Sequence, residues 1–279
     1  MGNSHSGDGK IREAIVNGIF YPAEEEQLEA RLRQLLGENK TKESDAFAVI
    51  SPHAGYNYAG TCIASAFRSA RKRKIRNIVI LAPVHNDPKD QIILPESKYF
   101  LTPIGAIEVN KTLVDELLEC STAIDQNDIP HLGEHCIEVQ LPFMRYLFPD
   151  AKLVPILLGK PSERNIKVLA NALQLTFSHL YHETLFIATA NLTSYIEGKG
   201  SEQEAELFLS LIESNDTAGI IQAMQTKKIS SCGAGCVAAL LSFRKIQYRI
   251  EVLNRNSSMA ANNDAERLVH YAAIALNID

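Results

Sequence analysis

Four short stretches of this chain are apolar almost throughout: "AFAVI" (46–50), "NIVILA" (77–82), "KLVPILLG" (152–159) and "TLFIAT" (184–189). A strand with one face in water alternates apolar and polar residues, so runs without alternation predict strands buried on both faces. Between them the pattern changes to a helical period. "EEEQLEARLRQLLG" sets Leu28, Leu32, Leu35 and Leu36 on one face, and Gly37 is a stop signal. Further helical stretches cover about 59–71, 110–120, 134–147 and 162–181. "YRIEVLN" (248–254) and "LVHYAAIAL" (268–276) read as two more strands, and "KYFLTPIGAIEV" (98–109) as a hairpin added to the sheet. Strands alternating with helices predict an α/β fold with a central, mostly parallel sheet flanked by helices. The chain shows no internal repeat and no long Pro/Gly/Ser linker, which predicts a single domain over 11–279 behind a flexible tail at 1–10.

In such sheets ligands bind beyond the carboxyl ends of the strands. The residues after each predicted strand are therefore informative. "SPHAGY" comes after the first and carries His53; "PVHND" comes after the second and carries His85. "ANLTSY" comes after "TLFIAT" and carries Asn191, Thr193 and Ser194. A single loop histidine says little, but two at equivalent strand ends point to one rim.

A third candidate is Cys232 in "SSCGAGCVAALLSF". The apolar segment Val237–Phe243 has a helical pattern, which leaves Cys232 in a glycine-containing turn just before a helix. Free N–H groups and the helix dipole favour a thiolate there, and a metal ligand must be a thiolate. Cys236, four residues on, reads as a small core residue. The segment "HLGEHCIEVQLPFM" (131–144) is ambiguous. His135 and Glu138 are one helical turn apart and could share a pocket, or they could lie on a solvated polar edge beside Glu134. "E-H-x-x-E" is not the H-E-x-x-H pattern that puts two histidines on one helical face.

Composition narrows the classes. The 279 residues carry a formal net charge of −5, which argues against a nucleic-acid binder. The basic run Arg71–Arg76 reads as a solvated helix end. The five cysteines are scattered and form no disulfide framework, which points to reduced thiols and a cytoplasmic protein. No run is long enough for a membrane span. The start "MGNSHS" fits a myristoylation pattern but reads as a tail.

Together the blocks "GIFYPAEEEQL", "SPHAGYNYAG", "LAPVHND", "GEHCIEVQLPF", "CGAGCVAALL" and "HYAAIAL" resemble the Memo family, whose prokaryotic members are called AmmeMemoRadiSam system protein B. The resemblance runs nearly end to end. It implies a fold similar to class III extradiol (LigB-like) dioxygenases. It also implies a metal site of His53, His85 and Cys232, with His135 facing the same pocket. Cys136 stands where the family usually has Ser. Asn191 and Ser194 stand where it has Asp and His, and neither can serve as a general base near neutral pH.

Three functions are expected from these residues. The first is a mononuclear metal-dependent redox protein with His135, Glu138, Asn191 and Ser194 around a single transition metal; imidazole and thiolate suit iron, copper or zinc, and the resemblance implies oxygen chemistry and favours iron or copper over zinc. The second is a binding or scaffold module that takes a small molecule or a peptide in the same pocket. The third is a zinc hydrolase with Glu138 as base. The resemblance also implies radical-SAM and AMMECR-like pathway partners.

Overall fold

Each continuous apolar run forms a strand. The computed structural model describes residues 10–86, 88–194, 196–197, 199–243, 246–259 and 267–278. Apart from Lys10, the tail expected at 1–10, with the "MGNSHS" start, lies outside the described residues. In chain order the elements begin with β1 (Ile11–Arg12), α1 (Glu25–Gly37), β2 (Ala46–Ser51), α2 (Tyr56–Ser69), β3 (Asn77–Pro83) and β4 (Ile92–Leu94). Next come β5 (Tyr99–Thr102), β6 (Gly105–Glu108), α3 (Lys111–Glu119), β7 (Ile124–Gln126), α4 (Asp128–Gly133) and α5 (Leu141–Leu147). They are followed by β8 (Lys152–Leu158), α6 (Glu163–Phe177), β9 (Thr184–Thr189), β10 (Ile196–Glu197) and α7 (Lys199–Glu213). The last are α8 (Thr217–Gln225), α9 (Ala234–Leu241), β11 (Tyr248–Ser257), β12 (Arg267–Leu268) and β13 (His270–Ile278).

The main sheet has eight strands in the order β11-β13-β2-β9-β3-β8-β4-β7. Its centre, β2-β9-β3-β8, is parallel throughout. Antiparallel joins occur only outward of that centre, at β2–β13, β13–β11 and β8–β4. Every residue of β2, β3 and β9 is buried, as the lack of alternation predicts. Helix α2 lies on β2, β11 and β13, with α1 and α5 against it; α9 lies on β3 and β9, with α6 and α8 against it. Leu28, Leu32, Leu35 and Leu36 are the buried face of α1. Burying each contributes about 2 kcal/mol. Helix α9 is apolar all round, and all eight of its residues are buried.

The hairpin expected over 98–109 forms as β5–β6, but it pairs with β1 in a small separate sheet. The helix expected over 134–147 is a second difference. The chain is extended at Glu134, makes a 3-10 turn at Glu138–Gln140, and is α-helical only from Leu141. The Glu134 carboxylate accepts the backbone N–H of His135 at 2.8 Å and of Cys136 at 3.0 Å. Such local side-chain bonds offer the backbone an alternative to helix. In the basic run, Arg73 is half-buried, not solvated: its guanidinium donates to the carbonyls of Ala46, Thr184 and Tyr181 and ties the starts of β2 and β9 together. Among the described residues no helix is long and apolar enough to cross a membrane.

Candidate metal centre

Strand β9 lies between β2 and β3, and all three run in the same direction. His53 comes after β2 and His85 after β3, so the two histidines flank the end of the same middle strand. Two strand spacings separate their backbones by roughly 9.6 Å. Their rings nevertheless lean together, with centroids 5.5 Å apart.

Cys232 enters from above β9. The turn that carries it presses against the strand end so closely that a Cβ on Gly233 would lie 2.1 Å from the Thr189 carbonyl and 2.6 Å from Ala190 Cα. Glycine is therefore required after the cysteine, and it seats Sγ between the flanking histidines. Sγ is 3.0 Å from Nε2 of His53. One ligand atom from each of His53, His85 and Cys232 lies within 4.8 Å of the other two. His53 is 2 % exposed, and its Nδ1 is buried without a hydrogen-bond partner among the described residues.

Two side chains hold the segment around His53. Gln140 accepts from the Ser51 hydroxyl at 2.9 Å and donates to the Pro52 carbonyl at 2.8 Å, which clamps the residues leading into it. Asn191 accepts the backbone N–H of His53 on Oδ1 at 3.1 Å. Glu134 does the same for His85. One oxygen accepts the His85 backbone N–H at 2.9 Å, and the carboxylate lies 3.1 and 3.2 Å from Nδ1. With Nδ1 so engaged, the other ring nitrogen of His85 is left for Cys232.

Electrostatics follow from this packing. Burial pushes the Cys232 thiol up, but the neighbouring His53 and His85 outweigh it and bring the pKa down to about 5. The hydrogen bonds to Cys232 and Glu134 raise His85 to about 10, against the opposing effect of burial. Glu134 is held below the usual carboxylate range, because its bonds to His85 overcome its desolvation. The outcome is a thiolate beside imidazole groups fixed by a carboxylate.

His135 completes a trio of rings. It stacks on His85 at 5.1 Å and meets His53 edge-on at 6.0 Å. Burial lowers its pKa to about 4, so the ring is neutral near pH 7. Beside the histidines is a cleft of ≈ 300 Å³ whose lining includes Val84, Asn86, Lys89, Ile93, Ile129 and Glu134.

Glu138 does not share this pocket with His135. It is fully buried and paired with Arg12, itself 1 % exposed. Its carboxylate also accepts from Val16 N at 2.9 Å, Ile15 N at 3.0 Å and the Tyr21 hydroxyl at 2.7 Å. Arg12 in turn donates to the carbonyls of His131 and Glu134. The pair binds the N-terminal segment to the loop carrying Glu134 and His135, which is a structural task. Ser194 is likewise occupied: its hydroxyl donates to the Ser230 carbonyl at 2.6 Å. Thr193 is buried and accepts from His270 N at 3.0 Å. Cys236 is buried in α9, and burial pushes its thiol up.

The roles of Glu134, Gln140 and Arg12 escape sequence reasoning. Each acts on a partner far along the chain, such as Glu134 on His85, and no local spacing encodes such pairs. The donor set fits a borderline transition metal: a thiolate, an imidazole oriented by a carboxylate, and an imidazole with a buried nitrogen lacking a partner among the described residues.

The sequence comparisons with known proteins cover nearly the whole chain. The family model described as Memo-like protein matches residues 12–275. A MEMO1 family protein of Thermotoga neapolitana is 30% identical, with 96% of this chain and 100% of that protein covered. Another from Methanosarcina barkeri is 30% identical, covering 95% of this chain and 99% of the relative. A third from Thermoplasma volcanium is 29% identical, covering 95% and 97%. A solved Escherichia coli K12 structure titled an uncharacterized protein aligns at a TM-score of 0.46 with 11% identity, over 80% of this chain and 98% of that one. The match of the family over residues 12–275, with relatives that align nearly end to end, means that this chain belongs to the Memo-like protein family.

Proposed function

We propose that this chain is a metal-dependent redox protein with its reactive metal on His53, His85 and Cys232. The observation that carries this reading is the convergence of two imidazoles and one ionised thiol at the end of β9, with Glu134 fixing the tautomer of His85. Three protein ligands leave a coordination position for a substrate. Iron or copper bound there supplies one-electron chemistry toward oxygen.

The chain's own residues do the rest. Glu134 orients His85 by accepting its backbone N–H and facing its Nδ1 edge. Asn191 fixes the backbone at His53 and supplies no general base. His135 presents a neutral imidazole that can exchange hydrogen bonds with a ligand. The ligand is a small molecule or a short peptide segment, and the cleft of ≈ 300 Å³ that meets the centre at Glu134 has room for one. The zinc-hydrolase alternative loses its base, because both Glu138 oxygens are committed to Arg12, Tyr21 and backbone N–H groups.

Elemental analysis after anaerobic reconstitution with ferrous or cuprous ion tests the reading. Cys232→Ala is expected to lower bound metal by one equivalent per chain and to abolish reductant-dependent oxygen uptake. Metal content equal to that of the parent would overturn the ligand assignment.

A further inference from the structure

The Nδ1 edge of His85 faces a second group of donors. Three consecutive residues, Glu134, His135 and Cys136, gather there. The Glu134 oxygens are 3.1 and 3.2 Å from His85 Nδ1, and Cys136 Sγ is 3.6 Å from it. His135 Nε2 is 3.8 Å from the same sulfur, and His135 Nδ1 is 3.2 Å from Glu134 Oε1. One ligand atom from each of the four residues lies within 4.8 Å of the others.

Metal–ligand bond lengths set the scale for these separations. Zinc-type ions bind N and O at about 2.0–2.2 Å and S at about 2.3 Å, so the edges of a tetrahedron around one are roughly 3.3–3.8 Å. Contacts of 3.1–3.8 Å lie near that range, and with one ligand atom taken from each residue no pair is more than 4.8 Å apart. Ligand type agrees as well: two imidazoles, one carboxylate and one thiol suit a divalent borderline ion. The position is dry on one side, since Cys136 is fully buried and Glu134 is 4 % exposed. It is open on the other, where His85 and His135 are 36% and 26% exposed. The Glu134 oxygens already take backbone N–H groups from His85, His135 and Cys136. The thiol is the shared neighbour of two ring nitrogens, at 3.6 and 3.8 Å, and of the Glu134 carboxylate.

We propose that Glu134, His135, Cys136 and the Nδ1 edge of His85 form a second metal position for a divalent zinc-type ion, with His85 bridging it to the His53–His85–Cys232 site. On binding, the Cys136 Sγ–H proton and the His85 Nδ1–H proton pass to solvent, and the sulfur binds as thiolate. When the first site is also filled, the remaining His85 proton, on the other ring nitrogen, goes to solvent too, and each ring nitrogen holds one ion. The second position shares His85 with the function proposed above but rests on different donors, so the two can fail separately.

Titration of the metal-free protein with zinc, read as bound equivalents, tests it; cobalt supplies a second readout through thiolate charge-transfer absorbance. The parent is expected to take two equivalents. Cys136→Ser and Cys136→Ala should each take one and lose about half of the charge-transfer intensity. Cys232→Ala should also take one. Circular dichroism and the retained equivalent report folding. A parent that takes one equivalent, kept by the Cys136 variants and lost by Cys232→Ala, overturns the second position and leaves the first. One equivalent lost with Cys136 and kept without Cys232 supports the second position and overturns the first. Two equivalents unaffected by either Cys136 substitution, or none in the parent, overturns the proposal.

Discussion

The carboxylate of Glu134 grips His85 twice, accepting its backbone N–H at 2.9 Å and facing its Nδ1 at 3.1 Å. The first contact fixes where the loop after β3 turns; the second fixes which ring nitrogen is left for Cys232. Outer carboxylates of this kind contribute on the order of 10- to 100-fold in metal affinity. Glu134→Gln keeps the size but sets an amide N–H₂ against backbone donors. Chelator competition on cobalt-loaded protein in a Cys136→Ser background, followed at the Cys232 charge-transfer band, should show a loss of about that size. Unchanged affinity would remove Glu134 from the centre.

The acidity of Cys232 gives a pH-dependent signature in the metal-free protein. An unfolded thiol ionises near pH 8.5, and the folded one at about 5. A depressed folded pKa contributes stability that is fully present above the unfolded value and is lost as pH falls through about 5. His85 runs oppositely. Raised to about 10, it contributes stability fully present below its unfolded value near 6.5 and lost as pH rises through about 10. The thiolate–imidazolium pair is thus populated between about pH 5 and 10. Thiolate absorbance that disappears in Cys232→Ser should titrate near 5. At pH 6 Cys232 is some 300-fold more ionised than a free thiol, while its lower basicity costs it tens of fold in nucleophilicity. Alkylation by iodoacetamide should therefore be faster than for a free thiol by on the order of tenfold. A midpoint near 8.5 would contradict the packing of His53 and His85 around the sulfur.

The parts of the site that lie just beyond strands are legible in the sequence. His53 and His85 end continuous apolar runs, and parallel strands bring such ends to one rim whatever their sequence separation. Cys232 is legible through its glycine and the apolar helix after it. Glu138 misleads because its spacing from His135 is helical, whereas the Glu134 side chain takes the backbone N–H groups at the start of 134–147 and keeps that stretch out of a helix. The true partner of Glu138 is Arg12, 126 residues away, and no periodicity records such a pair. Helices α7 and α8 lie outside the helical stretches expected from the apolar pattern, although Asp216 caps α8 through Gly219 N, a cue that the sequence carries.

Gly233 offers a test of the seating of Cys232. A methyl group there meets backbone atoms of Thr189 and Ala190, not a yielding side chain. The turn must lift off the end of β9, which carries Sγ away from His53. Overpacking of this kind costs about 1–3 kcal/mol. Gly233→Ala should lower the midpoint of urea unfolding accordingly and raise the pKa of Cys232 toward that of a free thiol. A variant with parent stability and an unaltered thiolate titration would show that the close approach does not hold the cysteine.

Arg12 and Glu138 separate structure from chemistry. Both are buried, and removing one partner of such a pair leaves an uncompensated charge, a loss of about 3–5 kcal/mol. Arg12→Leu and Glu138→Ala should each reduce unfolding free energy by that amount. Their double substitution should lose less than the sum, because neither charge is then stranded. Glu138→Gln, which can still accept from Tyr21 and Val16, should be milder. It should also bind metal at the Cys232 site with parent affinity. If Glu138 were a catalytic base, Glu138→Gln would abolish turnover while leaving stability intact. The buried pair predicts the reverse, with stability reduced and metal occupancy retained.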